Sequence, residues 1–364
     1  MSATATRSAT PVLSAGLQRV QAYLANLNDP AAWDPETLDA QRDQWDVALT
    51  PDEAALLAKV IEEGSTQLGK WSDSHEVLRW REITAPLAPI FARVHHVLEN
   101  GVGIARIRNL PIRTSNADLD FDENLLWAVG AHLGQPVNQM GKGKLLARLQ
   151  DNRDPRRGRD VRPEDTNEPL KHHTDGSDLL MLLCVRQAEQ GGNSFISSSA
   201  RVVQEIARRR PDLLPTLLED YFPFDRNEEQ PAGDDPYYLT RLCTVVADRI
   251  SVRYSRELID TAQSAPGAPQ LTETQTELLD VFDEIAAEGG AEVDFRSGDL
   301  MIINNYSVLH GRSPFHDPAD RVEGRLLLRL WLALSQARPL PFDFDRGVNT
   351  DGVGRGGTPY THAK

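Results

Sequence analysis

The chain has 364 residues but only two cysteines, Cys184 and Cys243. Two thiols cannot build a disulfide framework or a cysteine-rich zinc site. Both lie in apolar, strand-like runs and read as buried free thiols. Long apolar runs are missing too: no stretch approaches the roughly 20 residues that cross a bilayer as a helix. Met1 to Pro11 lacks the charged-then-apolar order of a signal peptide. With no membrane or secretion signal and so few thiols, a reducing cytoplasm is the expected setting. Net positive charge is also absent. Lys and Arg number 39 against 54 Asp and Glu, a formal charge of −15. A nucleic-acid or anionic-membrane surface needs clustered Lys and Arg, so neither partner is expected. The locally basic run Arg153 to Arg159 lies among acids and prolines and reads as a solvated loop. Glycine patterns of the Gly-x-Gly-x-x-Gly or P-loop kind do not occur, which weighs against a parallel nucleotide-binding sheet.

What is present is ordinary globular material, with 40% hydrophobic and 26% charged residues and enough length for a sizeable core. Residues 1–15 are small and polar and are expected to be a disordered tail. Residues 16–100 read as a helical N-terminal cover. Leu17, Val20, Leu24 and Leu27 recur at helical spacing, and Thr50-Pro51-Asp52-Glu53 is an N-cap with proline at the first helical position. Ile83 to Leu98 reads as a further helix. From Gly103 the period shortens. Short strand-like runs follow at 103–109, 145–149, 179–185, 193–197, 237–246, 250–254, 300–303 and 325–334. Helices are expected at 122–133, at 200–210 and, after Pro211, 212–218, and at 272–287. Short strands with long helical excursions imply an α+β fold: a jelly-roll or barrel core over 101–340 with helices packed outside. Residues 341–364 are left as a C-terminal tail.

The chemistry concentrates at His173-Thr174-Asp175. Residues two apart on an extended strand point to one side, so one imidazole and one carboxylate can aim at a common point. His310, within Asn304 to Arg312, can add a third ligand. Two histidines and one carboxylate on one face leave open positions and suit oxygen-using non-heme Fe(II). A blander reading makes His173 the end of a polar doublet with His172, and His310 a hydrogen-bonded histidine at a strand end. In Arg325 to Leu332, period two puts Arg325, Leu327, Arg329 and Trp331 on one face and four leucines on the other. Either the arginines face water, or they line a barrel interior and grip an anion with their planar forks. Gly191-Gly192-Asn193-Ser194 is a turn entering a strand, with a hydroxyl at Ser194. Gly298-Asp299 is another turn.

The ordered set His173-x-Asp175, Gly191-Gly192-Asn193-Ser194, Gly298-Asp299, His310 and Arg325 resembles the TauD/TfdA group of Fe(II)- and 2-oxoglutarate-dependent dioxygenases, within the clavaminate-synthase-like superfamily. The resemblance runs from about Gly101 to Leu334. It implies a double-stranded β-helix (jelly roll) with Fe(II) on His173, Asp175 and His310. It also implies 2-oxoglutarate and O2 as cosubstrates, with the far carboxylate of 2-oxoglutarate on Arg325 and Ser194. Ser stands where Thr is frequent, and the stretch from Asp175 to Ser194 is shorter than in the taurine enzyme, so taurine specificity is not carried over. Because Asp175 keeps the carboxylate that halogenating relatives lack, hydroxylation of a small molecule such as an amino acid or natural-product intermediate is expected. Desaturation or cyclisation on the same site is the alternative. Candidate substrate residues are Arg329, Asn138, Gln139, Asp178 and Asn305. Two other classes compete: a non-catalytic jelly-roll binding protein, and a zinc hydrolase, which would have no use for Arg325 and Ser194. The helical cover is expected to bury its apolar stripes on the barrel, with a second protomer as the alternative.

Overall fold

A computed structural model of the chain describes residues 15–71, 77–114, 118–139, 145–152, 166–226, 235–318, 323–334, 338–341 and 344. The expected tail over 1–14, the basic run at 153–159 and nearly all of 341–364 lie outside the described residues. Ala15, placed at the end of the tail by sequence, opens the helix Ala15–Asn26.

The fold mixes helices with largely antiparallel sheets. The larger sheet has seven strands. Its path runs Asp46–Ala48, Ile104–Arg108, Leu300–Asn304, Leu179–Arg186, Leu326–Ala333, Gln135–Pro136, and Leu146–Leu149 also pairs with Leu326–Ala333. A four-stranded sheet runs Ala291–Val293, Ser194–Ser198, Val308–Arg312, Leu170–His173. All these pairings are antiparallel except Asp46–Ala48 with Ile104–Arg108.

Side-chain alternation explains how the larger sheet is covered on both faces. Leu179, Met181, Leu183 and Val185 share a core with Leu326, Leu328, Leu330 and Leu332 and with helix residues Trp80, Phe91, Leu98, Leu125 and Trp127. The intervening Leu180, Leu182 and Cys184 join Leu327 and Trp331 in a second core that reaches Ile196 and Val308 of the four-stranded sheet. Both thiols are buried and free. A third core surrounds Ser199–Arg209 and Glu273–Glu288, where Val203 and Ile206 meet Leu279 and Phe282.

Local signals set several boundaries. Thr50 and Glu53 form a reciprocal capping box that starts Pro51–Leu68, satisfying donors the first turn leaves open. Three expectations need correction. The helical first hundred residues contain the strand Asp46–Ala48. The expected helix from Ile83 is interrupted: Val77–Ile83, a 3-10 turn at Ala85–Leu87, then Ala88–Asn100, with Pro86 and Pro89 unable to donate in a continuous ladder. The run 237–246 is two strands, Tyr237–Thr240 and Cys243–Val246, each in its own hairpin. Among the described residues no helix is long and apolar enough to cross a membrane.

Candidate metal centre

The strands Leu170–His173 and Val308–Arg312 are antiparallel neighbours, and His173 sits directly opposite His310. Facing residues of such a pair hold their Cβ atoms within about 5.5 Å, and the two imidazole centroids are 4.3 Å apart. Asp175 follows two residues after His173, just past the strand end. Its Oδ1 lies 3.7 Å from His173 Nε2 and its Oδ2 3.7 Å from His310 Nε2. One donor atom from each of the three residues falls within 4.8 Å of the others, the one such trio among the described residues.

The donors are in forms a metal can use. His173 Nδ1 is 2.8 Å from the Lys171 carbonyl oxygen. A carbonyl only accepts, so Nδ1 carries a proton and Nε2 is the nitrogen turned toward Asp175. Burial, reinforced by the neighbouring His173, pushes His310 down to about 3, so its ring is neutral. Burial alone would raise the Asp175 carboxyl, but His310, Arg329, His173 and the Trp331 indole together bring it down to about 2, so it is ionised. Two imidazoles and one carboxylate on one face fit Fe(II), with His310 neutral and Asp175 already ionised. Asp175 is held at its carboxylate and at its backbone. Trp331 Nε1 donates to Oδ2 at 3.0 Å, and the Asp175 amide donates to Asn305 Oδ1 at 3.1 Å.

The trio lines a cavity of about 480 Å³. Its apolar wall includes Leu149, Leu180, Leu182, Met301 and Leu327. Arg325, Arg329 and Trp331 line it too, while Leu326, Leu328, Leu330 and Leu332 point into the helix-covered core. Arg325 is 5% exposed. Among the described residues its guanidinium forms no ion pair; only its backbone amide engages the Asp317 carboxylate. Burial brings it down to about 10, which still leaves it cationic at neutral pH. A buried arginine of this kind calls for an anion. Gly192 packs on it with φ +72°, and a Cβ there would lie 3.1 Å from Arg325 Nε. Ser194 is buried and lines the same cavity.

The other candidates have different placements. Arg329 faces the cavity, and its Nε donates to Gln139 Oε1 at 2.7 Å. Gln139 in turn donates to the Leu145 and Arg329 carbonyls, so it braces Arg329 from outside the lining. Asn305 lies outside the lining as well and holds the Asp175 amide and the Ser177 carbonyl. Asp178 is turned away, accepting from Tyr306 Oη at 2.6 Å and the Leu334 amide at 2.7 Å. Asn138 is buried and is not part of the lining. Sequence reading did not single out Arg226, Tyr238, Arg253 or Arg312, all of which line the cavity. Arg312 was legible as His310 plus two on one strand; the others come from the excursion between Ser194–Ser198 and Ala291–Val293.

The family profile described as "Taurine catabolism dioxygenase TauD, TfdA family" matches residues 65–331. FR-33289 synthase of Streptomyces rubellomurinus is 30% identical over 250 residues, covering 67% of this chain and 73% of that protein. An asparagine oxygenase solved with Fe(II), 3-hydroxyasparagine and succinate superposes with TM-score 0.63 at 18% identity, over 79% of this chain and 93% of that one. The non-heme iron oxygenase OrfP with Fe and alpha-ketoglutaric acid gives 0.62 at 18% identity, over the same 79% and 93%.

Proposed function

The chain belongs to the TauD/TfdA family and is an Fe(II)- and 2-oxoglutarate-dependent dioxygenase, and we propose that it hydroxylates an unactivated C–H bond of a small molecule, an amino acid or natural-product intermediate. In this reading His173, Asp175 and His310 hold the iron, and the seven-stranded and four-stranded sheets are the halves of a double-stranded β-helix. The observation that carries it is the meeting, in one cavity, of a three-donor face with a buried arginine that forms no ion pair among the described residues.

Iron and 2-oxoglutarate bound there supply O2-dependent decarboxylation of 2-oxoglutarate to succinate and CO2, coupled to oxygen insertion into the substrate. The protein's part is holding and excluding. His173 and His310 offer imidazole nitrogens, and Asp175 offers the one negative charge. Arg325 grips the far carboxylate of 2-oxoglutarate, and the Ser194 hydroxyl donates beside it. Arg329, braced by Gln139, faces the side where an anionic group of the substrate would dock. Leu180, Leu182, Met301 and Leu327 give the cavity an apolar wall beside these polar groups. The asparagine oxygenase and OrfP structures, which hold hydroxylated amino acids, support the substrate class.

The test is a substrate screen that follows succinate formation, with mass spectrometry of the product. Gain of one oxygen atom supports hydroxylation. Loss of two hydrogens moves the reaction to desaturation or cyclisation. No succinate above the substrate-free rate with any small molecule overturns the proposal.

A further inference from the structure

Thr174 lies between two proposed ligands, His173 and Asp175, and is 1% exposed. Its polar groups are bound by one dipeptide far away in sequence, Arg253-Tyr254. The Thr174 amide donates to the Tyr254 carbonyl at 2.7 Å. The Tyr254 amide donates to Thr174 Oγ1 at 3.0 Å. Arg253 Nη1 donates to the Thr174 carbonyl oxygen and, at 3.2 Å, to Thr174 Oγ1.

The other end of the same guanidinium is also fixed. Nε and Nη2 fork onto Tyr238 Oη at 3.1 and 3.0 Å, and the group sits over the Phe224 ring, 5.0 Å from its centroid. Tyr238 and Phe224 are facing partners in the hairpin Phe222–Asp225 with Tyr237–Thr240. Arg253 itself is 2% exposed and borders the cavity. Burying a guanidinium is costly, and an apolar side chain would fill the same space without that cost. What only the arginine provides is a rigid fork joining the peptide between two ligands to the hairpin wall of the cavity.

We propose that Arg253 is a positioning residue that fixes the Thr174 peptide and so sets the mutual aim of His173 and Asp175. This rests on the reading that those two side chains and His310 hold the iron. Arg253 acts through the backbone rather than by touching the metal. Its effect falls on metal affinity and coordination symmetry, and the aim of the ligands depends on the excursion that also walls the cavity.

The experiment is an anaerobic Co(II) titration of the full chain, followed by visible absorption, with thermal unfolding measured with and without Co(II). It compares wild type with Arg253→Met, Arg253→Lys, Tyr238→Phe and His173→Ala. Arg253→Met is expected to bind Co(II) at least about tenfold more weakly, with an altered band shape and a smaller metal-induced rise in Tm. Arg253→Lys keeps the charge but loses the fork, and it should recover part of the affinity. Tyr238→Phe, which leaves the Thr174 contact intact, should fall between Arg253→Met and wild type. A merely structural arginine would lower the metal-free Tm and leave affinity and spectrum at wild-type values; that result overturns the proposal. If Arg253→Met does not fold, Arg253→Lys decides by the same criterion. If His173→Ala binds Co(II) as tightly as wild type, the ligand assignment itself has failed and the proposal falls with it.

Discussion

The Trp331 indole donates to Asp175 Oδ2 at 3.0 Å, so a strand of the seven-stranded sheet holds a carboxylate whose own backbone follows the four-stranded sheet. Oδ2 is also the oxygen 3.7 Å from His310 Nε2. Trp331→Phe keeps an aromatic ring and removes the donor. Partners of this kind orient a ligand and tune its basicity. We expect Co(II) or Fe(II) affinity to fall about tenfold while the metal-free protein stays folded. Unchanged affinity in an anaerobic titration would show that the indole does not steer the carboxylate.

Arg325 and Arg329 lie on one face of one strand but have different surroundings. Arg329 is braced by Gln139; Arg325 forms no ion pair among the described residues and packs on Gly192. Arg325→Ala should raise the 2-oxoglutarate requirement far more than Arg329→Ala does. Losing a buried charge-assisted pair costs roughly 2–5 kcal/mol, because the partner carboxylate is left unpaired. Arg329→Ala should instead weaken the prime substrate. The KM values for the two substrates in the two variants check this, and the reverse pattern would exchange the roles. Gly192→Ala should act like a mild Arg325 variant, since its Cβ presses on the guanidinium from a left-handed backbone.

The N-terminal helices share a core with the sheet. Trp80 and Leu98 are fully buried and belong to the cluster that contains Leu326, Leu328 and Leu330. Removing residues 1–12 should leave activity intact. Removing everything through Asn100 should strip that face and make the protein aggregate. A soluble, active chain starting near Gly101, judged by size-exclusion chromatography and turnover, would make the helices a separable module.

Asp122 offers a test by pH. It is fully buried, and burial pushes its carboxyl up to about 6, against the opposing hydrogen bond from the Arg113 amide. The folded state therefore holds this proton more tightly than the unfolded chain. The stabilisation is complete below the unfolded pKa of about 3.9 and is lost as pH rises through about 6. The shift corresponds to roughly 3 kcal/mol. Asp122→Asn should remove this slope, so urea unfolding of wild type and variant should diverge between about pH 4 and 6. Parallel curves would show that the carboxyl is not shifted.

Much of this was legible in the sequence because period two speaks directly about faces. Alternation from Arg325 to Leu332 separates cavity-lining from core-facing residues, and the cavity lining follows it. Asp46–Ala48 was hidden because three residues carry no period; the strand is defined by its parallel partner Arg106–Arg108. Asn305, Gln139 and Asp178 were recognisable as polar residues near the right segments. Which way they point depends on partners such as Tyr306 and Arg329, whose positions only the closed fold sets. The Thr174–Tyr254 backbone bonds had no sequence signature, because backbone donors and acceptors are the same at nearly every residue.

The most direct test of the central claim is the anaerobic visible spectrum after Fe(II) and 2-oxoglutarate are added. Wild type should develop a weak charge-transfer band. Arg325→Ala should need far more 2-oxoglutarate to reach it, and His310→Ala should not develop it at all. A band of wild-type intensity in His310→Ala at the same 2-oxoglutarate concentration would contradict the assignment of His173, Asp175 and His310 as the iron site.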